Sequence, residues 1–157
     1  SIQYLGYKRD SVTMNGTISM SGITRNGSVC AFTLTTTGGN FTLSFDSGSS
    51  FVISAYNRTY SIDTGLLPFN LNDNITTISG DTFTGTNREG KSFSVQITSP
   101  LVFKGSCTLG GIYYPAQGTH RITVSGKPAF TINWGSGDCD KNISITVGNQ
   151  TYNFILP

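Results

Sequence analysis

Apolar residues recur at every second position along most of this chain, the period of a β-strand with one buried face. Phe32 and Leu34 keep that period, as do Phe41, Leu43 and Phe45, and then Phe93, Val95 and Ile97. The last third repeats it four times, with Ile122 and Val124, Phe130 to Trp134 through Ile132, Ile143 to Val147 through Ile145, and Tyr152 to Leu156 through Phe154. The positions between are mostly Thr, Ser and Asn, so each segment has an apolar side and a side suited to water. Four successive strands of this kind predict a meander.

The punctuation agrees. Asn26-Gly27, Gly38-Gly39-Asn40, Asp46-Ser47-Gly48, Arg88-Glu89-Gly90, Gly126-Lys127-Pro128 and Gly148-Asn149 are clusters that reverse a chain. Turn signals spaced roughly 8 to 12 residues apart between short alternating segments mark a sandwich or barrel architecture. No window of a dozen residues carries a 3.6-residue period free of these breakers. The fold expected is therefore all-β, an antiparallel β-sandwich or meander of many short strands, with essentially no helix beyond a turn near Leu66-Leu67-Pro68. At 157 residues the chain has the length of a single domain. Its least strand-like stretch, Asp63 to Asn74, is the expected place for a crossover within that domain.

Composition narrows the setting. Charged residues make up 11% of the chain, against about 25% in ordinary soluble domains, so its hydrophilic surface is built from hydroxyls and amides. The net charge of +2 is scattered, with only Lys8 and Arg9 adjacent among the basic residues. That leaves no electrostatic footprint for nucleic acid. No apolar run approaches the roughly 20 residues of a transmembrane helix. A chain that begins at Ser1 without Met reads as a mature product whose export signal has been removed, or equally as a trimmed piece. Cys30, Cys107 and Cys139 are an odd set, which in an exported protein means one bridge and one free thiol, and in a reducing compartment three thiols.

The segment from Thr82 to Leu156 carries three stretches that belong together: TFTGTNREGKSFSVQITSPLVFKGSC, then GTHRITVSG, then FTINWGSGDCDKNISITVGNQTYNFIL. These resemble the C-terminal half of a broad family of exported or lipid-anchored β-rich proteins from Bacteroidota, mostly of unknown function. In that family an apolar strand leads into a Gly-x-Gly-x-Cys-Asp turn and a final hairpin, and here the turn reads Gly135-Ser136-Gly137-Asp138-Cys139-Asp140. The resemblance implies export, an all-β fold and no known enzymatic role. A first cysteine at the place of Cys107 belongs to the same pattern, which makes Cys107 with Cys139 the expected bridge and Cys30 a buried small apolar residue. The resemblance also points to Ser11, within Asp10-Ser11-Val12, as a candidate O-glycosylation site. Asn15, Asn26, Asn40, Asn57, Asn74, Asn142 and Asn149 each open an Asn-x-Ser/Thr triplet, a glycan acceptor in a eukaryotic or archaeal secreted protein, although several such triplets arise by chance in a chain this rich in those residues.

Catalytic chemistry finds few groups to use. His120 is the single histidine and lies in an alternating segment, where it reads as a strand residue with a satisfied ring. Glu89 is the single glutamate and sits in a turn. A nucleophile elbow, paired carboxylates and a phosphate-cradling glycine loop are all missing from the sequence. Asp138-x-Asp140-x-Asn142 has the oxygen spacing that opens a calcium loop, but Ile143 stands where the loop needs Gly and Asn149 where it needs Glu, so a capped turn is the expected use of these residues. No catalytic residue, metal ligand or cofactor site is assigned. Tyr113 and Tyr114, beside Gly110-Gly111 and Pro115, form the candidate platform for a sugar. The expected function is a non-enzymatic extracellular or cell-surface structural protein, a fibre or coat subunit that self-associates through strand edges or the terminal segments Ile2 to Tyr7 and Thr151 to Leu156. The alternative expectation is a glycan-binding or adhesive module.

Overall fold

A computed structural model describes residues 1–66, 70–80 and 82–157. All of its strands lie in one antiparallel sheet, the expected all-β fold in its meander form. In chain order they are β1 (Ile2–Arg9), β2 (Val12–Asn26), β3 (Val29–Phe45), β4 (Ser50–Ala55), β5 (Asn57–Asp63), β6 (Ile75–Ser79), β7 (Phe83–Thr86), β8 (Ser92–Lys104), β9 (Gln117–Val124), β10 (Phe130–Ser136), β11 (Asn142–Val147) and β12 (Gln150–Ile155). β4 and β5 pair in succession with one edge of β3, through Phe41 opposite Ile53 and Thr35 opposite Asn57. β6 and β7 pair in the same manner with β8, through Ile78 opposite Leu101 and Phe83 opposite Val95. Each such pair is one long strand interrupted by an irregularity, so the chain runs as ten neighbouring antiparallel lanes, roughly 45 Å across at the usual strand spacing.

The stretch 63–74 joins β5 to β6, neighbours in that sheet, and contains a 3₁₀ turn at Leu71–Asp73. Leu67 and Pro68, where a stray turn was expected, lie outside the described residues. A five-residue helix, α1 (Gly105–Leu109), was not foreseen, because a single turn is too short to display a period. Gly105 makes it possible: a Cβ there would stand 1.7 Å from the Leu71 carbonyl oxygen, so only glycine lets α1 pack against the 3₁₀ turn.

Residues directly opposite one another share a face of a sheet. The registers put Phe41, Ile53, Phe93 and Val124 on one face, and Thr42, Val52, Thr86 and Ser92 on the other. The polar face is knitted by cross-strand hydroxyl pairs, Ser19 with Thr37 at 2.9 Å, Thr98 with Thr119 at 2.6 Å and Thr146 with Thr151 at 2.9 Å. This accounts for the abundance of threonine, which favours strands and finds a partner across each gap.

The apolar face has almost no second layer. Among the described residues the buried apolar side chains are Phe41, Phe93, Cys107, Ala116 and Ile143. Phe41 is 6% and Phe93 8% exposed, and in each case a glycine provides the depth. Phe41 lies over Gly16 with Tyr4 packed edge-on against it, and Phe93 lies over Gly85 and stacks on Phe51 at 4.9 Å. Rings that fall onto a glycine backbone are covered by the sheet itself, whereas their neighbours stay half-exposed. The accessible surface is 9418 Å². A compact monomer of 16.8 kDa is expected to expose about 7,650 Å².

Candidate assembly surfaces

The sheet is open at β1 and β12. β12 pairs with β11 without a register shift from Val147 opposite Gln150 to Asn142 opposite Ile155, so its outer edge is straight. All six of its residues are exposed, Ile155 to 80%, and none is charged or proline. The Leu156 N–H donates to the Lys141 carbonyl oxygen, 2.9 Å, which fixes the alternation along the strand. The backbone groups of Gln150, Tyr152 and Phe154 therefore face β11, and those of Thr151, Asn153 and Ile155 face outward. Proteins usually blunt such an edge with charge, proline or a bulge. β1 does so in part: a register shift between Leu5 and Tyr7 is followed by Lys8 and Arg9, and Lys8 pairs with Asp46 at 2.9 Å. Its first part, Ile2 to Leu5, is uncharged, and Leu5 is 79% exposed.

The end of the sheet near α1 is pinned covalently. Cys107 and Cys139 form the expected disulfide, with Cα atoms 5.0 Å apart. Cys107 sits on α1 after β8, and Cys139 in the turn between β10 and β11, so the bridge spans β9 and β10. The Lys104 ammonium donates to the Gly137 carbonyl oxygen of the same turn. Asp140 accepts from both the backbone and side-chain N–H groups of Asn142, each at 3.0 Å, which is the capped turn read from the sequence. Cys30 is free and half-buried on β3. Ser11 is exposed in the turn between β1 and β2, where its carbonyl oxygen accepts from the Asp46 N–H.

Tyr113 is exposed, while Tyr114 is half-buried and stacks on Trp134. Trp134 in turn stacks on His120 and donates its indole N–H to His120 Nδ1 at 3.0 Å, so the strand histidine is satisfied as expected. Burial, and then the nearby Arg58 guanidinium, lower the His120 pKa from its ordinary 6.5. In the window between 6.5 and the lower folded value the unfolded chain binds the proton and the folded chain does not, so stability is expected to fall as pH drops through it. Trp134 is the one tryptophan, and its fluorescence should titrate with a midpoint below 6.5 in the native protein. His120→Gln should abolish that titration.

Sequence reasoning passed over Arg58, which is 4% exposed in the middle of the apolar face. Its guanidinium donates to the carbonyl oxygens of Gly80, just past the end of β6, at 3.2 Å, and of Val95 on β8, at 2.9 Å. Beside it the hydroxyls of Tyr56 and Tyr60 lie 2.5 Å apart, and burial followed by that hydrogen bond raises the Tyr56 pKa. The signal was present in Tyr56-x-Arg58-x-Tyr60-x-Ile62, whose alternation places Arg58 in line with apolar positions. No helix of the described residues is long and apolar enough to cross a membrane. Comparison with family models, with curated proteins and with solved structures gave no match.

Proposed function

We propose that this chain is a non-enzymatic structural subunit of an extracellular fibre or coat, in which β12 of one copy adds to β1 of the next. The observation that carries the reading is the unguarded outer edge of β12, charge-free, straight and exposed along its whole length. Lane parity supports it. Nine antiparallel steps separate β1 from β12, so the two outermost strands run in opposite directions. A β12-to-β1 junction then continues the antiparallel order and keeps every apolar face on the same side. Such a contact is heterologous, joining copies head to tail, which is the kind of contact that builds a filament. The Cys107–Cys139 bridge and the resemblance of the C-terminal half to exported Bacteroidota proteins support the extracellular setting.

Asn153→Pro tests the edge selectively. It removes an outward N–H and no bond to β11, and proline is tolerated where a strand edge faces solvent. In sedimentation velocity and negative-stain microscopy the native chain should form elongated assemblies that grow with concentration. Asn153→Pro should arrest growth while leaving the circular dichroism spectrum unchanged. A native chain that never assembles at high concentration, or growth that Asn153→Pro leaves untouched, would sink the reading.

A further inference from the structure

From the apolar face we infer a second interface, in which two copies of this chain pack face to face into a two-layer sandwich. The inference stands apart from edge addition, because it uses side chains of the sheet face and leaves the strand edges free. A sheet with one apolar face is stable when that face meets another layer, and within this chain the rings of Phe41 and Phe93 achieve full burial only by lying over glycine.

Area argues for a second copy as the covering layer. The chain exposes 9418 Å², about 1,800 Å² more than a compact monomer of its mass. If each of two copies covers that excess, the interface totals about 3,500 Å², within the range of obligate homodimers. The face carries Arg9 at its corner, Arg25 at the end of β2, Arg58 buried against carbonyl oxygens and the Arg88 guanidinium over the Phe45 ring, and no carboxylate among the paired strand positions. Arg9 and Arg25 stand at strand ends and Arg88 in a turn, so the middle of the face is left to apolar side chains that a facing copy can cover. A bilayer is a poor cover, since the open backbone edges of β1 and β12 have no partners in hydrocarbon. Exposed Tyr7, Met20, Tyr152 and Phe154 lie on this face, where a facing sheet would cover them.

Ile122, half-buried on β9 between Val95 and Phe130, is the position to alter. The experiment is made in the Asn153→Pro background, where edge growth is blocked, so that loss of the face contact and loss of the edge contact read out separately. Sedimentation equilibrium should give twice 16.8 kDa for Asn153→Pro. Adding Ile122→Lys should raise the dimer dissociation constant on the order of a hundredfold, and Ile122→Thr, which keeps a β-branched strand former, should raise it less. Circular dichroism on each variant establishes that the sheet persists. A single-chain mass for Asn153→Pro at all concentrations overturns the inference, whether or not the native chain forms filaments. Flotation of monomeric Asn153→Pro with phosphatidylcholine vesicles also overturns it, by assigning the face to lipid. A dimer whose affinity neither Ile122 variant changes places the contact elsewhere and overturns it as well.

Discussion

Replacing Cys107 and Cys139 together by serine is expected to destabilise the chain by about 3 to 4 kcal/mol, lowering its melting temperature by roughly 10 °C. The bridge closes a 32-residue separation, and without it the unfolded chain regains the freedom of that loop. It also ties α1 to the β10–β11 turn. Thermal melts of the native and doubly substituted chains, with and without reductant, measure the effect. Reductant should bring the native protein down to the substituted one and leave the substituted one where it is. Cys30→Ser should keep the reductant-sensitive difference intact, because the free thiol takes no part in the bridge.

Gly85→Ala is expected to be of similar size, about 2 to 4 kcal/mol, although it adds one methyl group. A Cβ at Gly85 would lie 2.0 Å from the Val52 carbonyl oxygen and 2.8 Å from the Phe93 ring. Relief requires the β4–β7 ladder to part or the ring to lift away from Phe51. Overpacking a tight site costs about 1 to 3 kcal/mol, and here the obstruction includes backbone. Phe93→Leu in the Gly85→Ala background should recover part of the loss by removing the ring from the conflict. Urea unfolding of the two single variants and the double variant checks this, and strictly additive losses would contradict the account.

These two expectations separate what the sequence displays from what only the fold reveals. Strand content was legible because alternation is local: Phe93, Val95 and Ile97, or Ile143, Ile145 and Val147, announce their shared face within five residues. The Cys107–Cys139 pairing was reachable through the Gly-Ser-Gly-Asp-Cys-Asp turn. The depth of Phe93 was not, since it depends on which lane lies beside β8 and on Gly85 arriving under the ring, a fact of register between distant segments. Arg58 was hidden for a related reason: a charged side chain is covered here because the fold brings it the carbonyl oxygens of Gly80, past the end of β6, and of Val95 on β8. Alternation gave both terminal strands equal standing as assembly edges. The pairing distinguishes them, as β1 carries a register shift and two cations while β12 carries neither.

That difference makes β12 the place where the central claim meets its most direct measurement, amide hydrogen exchange resolved along Gln150–Ile155. The amides of Gln150, Tyr152 and Phe154 face β11 and should exchange slowly at every concentration. Those of Thr151, Asn153 and Ile155 face outward, and should exchange quickly in dilute protein and slow together as assembly proceeds. In Asn153→Pro the amides of Thr151 and Ile155 should stay fast throughout. Outward amides that stay equally fast in the native chain at all concentrations, or that are already protected in the isolated monomer, would contradict an open edge that joins one copy to the next.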